Sequence, residues 1–511
     1  MKVALIQCPS WSTISPPYNL ALLSACLKDK GYEVNCFDLN IKMHNYAAER
    51  EGESLWGTKG ETNSWLEKNY VENFMKQYDR YIDYYVERVL NSGAKVMGFS
   101  IQDPSWHFTE EFIKRIKQKD KTRIIVLGGN SCFRYPERFL NNKDVDAICY
   151  KEGEIALLNL LKILEKETDI DSCPGFICKK KNGNVIKGEI STFISNLDEI
   201  PFADFTGFDM KDYKDKVLPL ATSRGCVFRC AFCVECLDWD RYRNRSAQNI
   251  FAEMKYQLRK YPELKGFFFN DSLLNGNIKM LDELCGLIME ERMKVSWGGQ
   301  AAIRKEMTKD LLKKMHHAGF SHVSYGLESG SQTILQGMKK RFDLATAENV
   351  IRHTHRLGIR VSVNIVVGFP TETEKEMLET ADFIKKNINF VDDVYFHPFQ
   401  LMPGSFLDQE KERFGIQLPD INGILQWETS NPKNTYKIRL ERIDFYKSIL
   451  RGKYASNFST FDYHYNLGNQ YYEKGDYENA IKFYLKAKQE TTDNKKLEFV
   501  NNRISSIPDK K

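Results

Sequence analysis

Between residues 216 and about 405 the chain repeats one pattern: a short apolar run followed by a segment of helical periodicity. The runs are Val217–Thr222, Gly266–Asn270, Val295–Gly299, His322–Leu327, Val361–Val367 and Val394–Leu401. They recur roughly every 30–45 residues, the length of a βα unit. Such a series leaves few folds open, because each parallel strand needs a crossover helix and buries both of its faces. Six units predict an open (β/α)6 barrel over residues 216–430, with its chemistry at the carboxyl ends of the strands. Residues 1–165 alternate in the same way, with strands expected at Lys2–Cys8, Glu33–Asp38, Val96–Gln102, Arg123–Leu127 and Ala147–Tyr150. They predict a doubly wound α/β domain whose ligand-facing strand ends carry Ser100, Gln102, Gly128 and Gly129. Residues 166–215 read as a linker with a hairpin, turned at Lys181-Asn182-Gly183-Asn184. Residues 431–511 read as a small helical extension.

Composition limits what these domains do. The 511 residues are 42% hydrophobic and 28% charged, as folded chains are, and a net charge of +5 gives no ground for a nucleic-acid surface. No apolar stretch is long enough to span a membrane, and the start of the chain turns polar too soon for a signal peptide. The 12 cysteines are scattered through apolar runs rather than arranged as a disulfide framework, so a reducing, cytoplasmic setting is expected. Aromatic residues gather in an insertion at about 45–92, including Trp56, Trp65, Tyr70, Phe74 and Tyr78; its spacing favours a packed amphipathic helix.

Three cysteines break the scatter. Cys226, Cys230 and Cys233 form C-x3-C-x2-C just after the first barrel strand, with Phe232 before the third. Random placement would produce this in about 1% of such chains or fewer. Three thiolates on an iron–sulfur cube leave one iron open to a substrate. Cys236 adds a further x2 spacing, but a ferredoxin-type run needs a cysteine where Asp240 stands, and zinc sites use two separated pairs. The role of Cys236 is open.

The triplet resembles the signature of the radical SAM superfamily. That resemblance implies a [4Fe-4S] cluster on Cys226, Cys230 and Cys233, with S-adenosylmethionine (SAM) on the open iron. Later strand ends resemble motifs of the same enzymes: Gly326-Leu327-Glu328-Ser329-Gly330, Val366-Val367-Gly368-Phe369-Pro370-Thr371-Glu372, and Pro403-Gly404-Ser405. The resemblance implies that Glu328 and Ser329 contact the SAM amine or ribose, and that Val367, Gly368 and Phe232 lie along the adenine. The usual G-G-E after the second strand is replaced by Phe269-Asn270-Asp271-Ser272, leaving Asn270 or Asp271 for the SAM amine. Arg243-Asn244-Arg245-Ser246 matches the family's arginine-rich stretch; it reads equally as a carboxylate or phosphate holder and as a surface ion pair.

The first domain, Rossmann-like in pattern, resembles the cobalamin-binding domain that precedes many radical SAM barrels. The matching residues are Pro16-Pro17-Tyr18, Gly128-Gly129 and Glu152-Gly153-Glu154. The resemblance implies cobalamin near Ser100, Gln102, Gly128, Gly129 and Glu154. The D-x-H-x-x-G motif of other cobalamin proteins is absent and His44 and His107 do not replace it, so binding without a histidine ligand is implied. The alternative is a Rossmann-like domain that only packs on the barrel. In the tail, Leu467-Gly468-Asn469-Gln470-Tyr471 with Ala480, Tyr484 and Ala487 has tetratricopeptide spacing, His464 standing for the usual Trp. One repeat is either a structural cap or a docking surface for a protein partner.

The leading expectation is a cobalamin-dependent methyltransferase acting on an unactivated carbon. It would take a small-molecule or peptide substrate and draw electrons from a donor such as flavodoxin or ferredoxin. A radical SAM cyclase, oxidase or rearrangement enzyme is the rival among enzymes. A non-catalytic iron–sulfur or zinc protein with a docking tail is the rival outside them.

Overall fold

The computed structural model describes residues 1–51, 65–166, 173–179, 185–188, 193–418, 424–450, 460–473, 475–491 and 494–507. Trp56 and the Lys181–Asn184 turn lie outside these residues. The chain forms two compact units, Met1–Gly225 with Asp238–Gly298, and Cys226–Leu237 with Gly299–Lys511.

In the first unit, strands β1 (Lys2–Gln7), β2 (Glu33–Asp38), β3 (Val96–Ser100), β4 (Ile124–Gly128) and β5 (Ala147–Cys149) are parallel. Hairpin strands β6 (Phe176–Lys179) and β7 (Val185–Lys187) add to them antiparallel, giving the order β2-β1-β3-β4-β5-β6-β7. The hairpin that reads as part of a linker is therefore an extension of this sheet. Pairing with β5 satisfies backbone groups that a free hairpin would leave to solvent. The helix Tyr18–Asp29 starts after Pro17, which is itself extended, and is followed past its Lys30 cap by Gly31 with φ +85°. The aromatic insertion packs into the core: Trp65 is fully buried, 5.0 Å from the Phe74 ring, and the helices Lys68–Gln77 and Asp79–Asn91 bury Val71, Phe74, Ile82 and Val86.

The same unit holds β8 (Val217–Leu220), the ribbon β9 (Ser223–Arg224) with β10 (Arg243–Asn244), and β11 (Gly266–Phe269), which runs parallel to β8. The order continues to β12 (Ser296–Ala301), the strand in which one unit passes to the other. In the second unit the order runs from β12 through β13 (Phe320–Glu328) and β14 (Arg360–Val367) to β15 (Asp393–Pro398), with β13, β14 and β15 parallel. The six predicted barrel strands are all present, most within two residues of their expected ends. A two-stranded ribbon, β16 (Thr429–Ser430) and β17 (Lys433–Asn434), then leads into the helix Tyr436–Ile449. Helices Thr460–Glu473, Tyr477–Gln489 and Asn494–Ser505 close the chain around Phe461, Ala480, Tyr484, Ala487 and Val500. His464 takes the tryptophan's place, 4% exposed with Nδ1 2.7 Å from Glu490 Oε2. Among the described residues no helix is long and apolar enough to cross a membrane.

Candidate active site

The cysteine loop belongs to the second unit and is anchored at its centre. The Ala231 N–H donates to the Met338 carbonyl (3.0 Å) and the Leu407 N–H donates to the Ala231 carbonyl (3.0 Å). Ala231 is fully buried in a cluster with Met338, Phe369, Phe399 and Trp427, against which Phe232 is half-buried. Cys226, Cys230, Cys233 and Cys236 all stay half-buried free thiols on this anchored segment. Burial raises the first three, Cys233 to about 12, so a metal must displace protons to bind them. Among the described residues no three His, Cys, Asp or Glu converge closely enough for a single ion. A [4Fe-4S] cube does not require that, because each thiolate ligates its own iron. The donor set fits such a cluster.

Glu328 ends β13 at a register shift, in the left-handed region at φ +66°. Its Oε1 accepts from Lys340 Nζ at 2.9 Å. Burial lowers Lys340, but Glu328 and Cys230 outweigh it and hold the ammonium above its ordinary value. Lys340 Nζ also lies 5.8 Å from the Phe232 ring centre. Lys340 is not among the residues singled out from the sequence; it lies between exposed Lys339 and Arg341, and the fold alone turns it toward Glu328. β14 and β15 bury alternate residues, Val361, Val363, Ile365 and Val367, then Val394 and Phe396. Their other face is polar and more open: Asn364, which donates to Ser324 Oγ at 2.9 Å, Tyr395 and His397.

Several expected SAM contacts are engaged elsewhere. Ser329 is 1% exposed and pairs with Thr380 Oγ1 (3.1 Å) and the Ser331 N–H (3.1 Å), so it braces the turn after β13. The Val367 side chain is buried on the opposite face from Asn364, and Val366 takes the open face, as strand alternation requires. Gly368 stays at the strand end with φ +83°. In the first unit Asp271 accepts from the Thr222 N–H (3.0 Å), Thr222 Oγ1 (2.9 Å) and Ser223 Oγ (2.6 Å). It is 3% exposed and ties the end of β8. Asn270 is exposed.

Asn270 lines a cavity of about 290 Å³ in the first unit. Ser100, Gly128, Gly129 and Glu154 share it with Leu20, Leu23 and Leu157. Strand ends of the seven-stranded sheet thus meet residues that follow β8 and β11. Gly129 has φ +110°, and any Cβ there would overlap the Ile101 carbonyl. Gln102 does not line the cavity: its backbone is held by Ser105 Oγ, which receives its N–H (3.0 Å) and donates to its carbonyl (2.9 Å). Glu154 is at the cavity wall but ion-pairs with Arg224, which also donates to Glu152 Oε1 at 2.7 Å. Arg243 Nη1 completes the knot 2.9 Å from Glu152. Among the described residues no histidine lines this cavity.

Residues 220–384 match the radical SAM superfamily and residues 461–494 match a tetratricopeptide repeat. The chain is 26% identical over 296 residues to an uncharacterized methyltransferase of Pyrococcus horikoshii, covering 57% of this chain and 64% of that protein. It therefore spans somewhat less than two thirds of that relative. An anaerobic magnesium-protoporphyrin IX monomethyl ester cyclase of Rubrivivax gelatinosus is 24% identical, with 58% of this chain and 54% of that one covered. Among solved structures, the radical S-adenosylmethionine methyltransferase TsrM of Kitasatospora setae, with cobalamin and a [4Fe-4S] cluster bound, superposes with a TM-score of 0.61 at 17% identity. That alignment covers 83% of this chain and 78% of TsrM and shows a shared fold. The chain carries a radical SAM domain, of the kind that holds a [4Fe-4S] cluster and SAM, and it ends in a tetratricopeptide repeat.

Proposed function

We propose that the protein is a cobalamin-dependent radical SAM methyltransferase. The observation that carries the radical SAM half is the anchored loop with Cys226, Cys230 and Cys233 inside the matched region. The cobalamin half rests on the strand-end cavity with its Gly128-Gly129 wall, and on the fold shared with a protein that binds cobalamin. A cavity of about 290 Å³ takes one end of so large a cofactor. Bound together, the cluster supplies the electron that cleaves SAM to methionine and a 5′-deoxyadenosyl radical, and cobalamin supplies a carrier for the methyl group.

The chain's own residues supply position. Ala231 and its two backbone bonds hold the thiols in place, Lys340 fixes Glu328 at the end of β13 through their ion pair, and Gly368 ends β14 in a turn at φ +83°. The open face with Ser324, Asn364, Tyr395 and His397 suits a substrate with hydrogen-bonding groups better than a hydrocarbon. The cyclase among the relatives favours one second reading, SAM cleavage without methyl transfer.

The test is anaerobic reconstitution with iron, sulfide and hydroxocobalamin, then SAM and a strong reductant. 5′-Deoxyadenosine and S-adenosylhomocysteine are quantified by mass spectrometry. Both products, the second dependent on cobalamin, are expected. Deoxyadenosine alone would favour the cyclase-type reading. Reductive SAM cleavage by Cys230→Ala would overturn the cluster assignment.

A further inference from the structure

Beyond the last barrel strand, the segment from Trp427 to Arg442 closes on the loop that follows β14. Asn434 Nδ2 donates to the carbonyls of Gly368 (3.0 Å) and Phe369 (3.2 Å). Glu372 Oε1 accepts from the Gly368 N–H (3.1 Å) and from Arg442 Nη1 (2.7 Å), and Arg442 Nη2 reaches the Glu372 carbonyl (3.3 Å). Arg439 Nη1 donates to Asn434 Oδ1 (3.1 Å), aiming the amide. Its guanidinium lies 3.8 Å over the Trp427 ring, and its Nη2 donates to the carbonyls of Leu425 (2.6 Å) and Trp427 (3.0 Å). Any Cβ at residue 368 would overlap the Arg439 side chain.

Every polar atom of the Gly368 backbone is thus bound by this later segment or by the carboxylate it holds. Asn434 and Arg439 are fully buried and Glu372 is 2% exposed. Arginine inside a protein is costly unless its fork is satisfied. Here the buried Arg439 and the half-buried Arg442 both stand behind one glycine-bearing turn. Trp427, Phe369 and Ala231 share one apolar cluster, so the same segment also backs the anchor of the cysteine loop.

We propose that Asn434, Arg439 and Arg442 are positioning residues that set the affinity of this chain for SAM by fixing the Gly368 turn against its adenine end. The inference rests on the reading of that turn as an adenine contact. It assigns a cofactor-positioning role to a segment outside the matched radical SAM region, which ends at residue 384.

The experiment measures SAM affinity of the cluster-loaded full-length protein by anaerobic equilibrium dialysis, without turnover. Arg442→Gln and Asn434→Asp are expected to weaken SAM binding about tenfold or more, since small misplacements of a binding group cost that much. Arg442→Lys should recover part of the loss. Iron content, cluster absorption and reduction potential should match the wild type, and KM for SAM should rise more than kcat for deoxyadenosine falls. Hydrogen exchange at the Gly368 amide should quicken in the variants. Wild-type affinity in a folded Asn434→Asp with faster exchange at Gly368 would overturn the proposal. Should Arg442→Gln fail to fold, Asn434→Asp and Arg442→Lys carry the same test. Failure of the wild type itself to bind SAM would instead remove the adenine reading, and the proposal with it.

Discussion

In the first unit two guanidiniums, Arg224 and Arg243, face two carboxylates, Glu152 and Glu154. In the second unit Arg439 and Arg442 stand behind a single carboxylate, Glu372. Both knots fasten a loop at the end of a parallel strand, but the charge balance differs and so do the consequences. Burial lowers Arg224, yet Glu154 and Glu152 outweigh it and hold it above its ordinary value. Burial outweighs Glu152 at Arg243, which it lowers, and it wins at the other knot as well. It pushes the Glu372 carboxyl up to about 7 against the pull of Arg442, and brings Arg439 down to about 9. Two carboxylate partners keep Arg224 charged despite burial, whereas at Glu372 burial outweighs the pull of Arg442 and the carboxyl titrates near neutrality.

Breaking the matched knot should have the larger effect. Arg224→Ala leaves Glu152 with Arg243 and strips Glu154 of its ion pair among the described residues, and is expected to cost about 3–5 kcal/mol in chemical denaturation. A loss under about 1 kcal/mol would mean that water replaces the guanidinium, and the comparison would fail.

At the unmatched knot the effect should depend on pH. Glu372 ionises near its ordinary carboxyl value in the unfolded chain and only at about 7 in the folded one. Between those values the folded chain binds more protons, so stability falls as pH rises through the window and the full cost is present above it. The expected span is on the order of 3 kcal/mol. Glu372→Gln should lose this dependence, gaining on the wild type between pH 5 and pH 8. Parallel stability profiles for the two proteins would sink the assignment.

Arg439→Met sharpens the same contrast. It removes a charge that no carboxylate pairs directly among the described residues, but it strips donors from the carbonyls of Leu425 and Trp427. The expected cost is about 1–3 kcal/mol, below that of Arg224→Ala. A cost equal to that of Arg224→Ala would show that charge matching is not what separates the knots. The smallest effect on folding is expected beside the first knot. Leu23→Trp should fill the cavity that Glu154 and Arg224 border and reduce cobalamin uptake several-fold with little change in melting temperature. Unchanged uptake would place the cofactor elsewhere.

What local pattern encodes was legible in advance. The strands of both sheets follow from apolar runs of the right length, and the cysteine triplet and the glycine turns follow from spacing alone. The tetratricopeptide repeat is likewise written in its own spacing. These features depend on neighbours a few residues away. The destinations of side chains were not legible, because they depend on partners far along the chain. The resemblance implied SAM contacts at Asp271 and Ser329, yet Thr222 and Thr380, 49 and 51 residues distant, hydrogen-bond their side chains. The β6–β7 hairpin looked like linker because its partner strand β5 lies outside it. Glu372 finds Arg442 across 70 residues, and Glu152 finds Arg224 across 72. Sequence determined where the strands end and which thiols gather on one loop. Tertiary packing alone decided which polar groups remain free for a ligand, because a buried hydrogen bond is chosen by whichever partner the fold brings within reach.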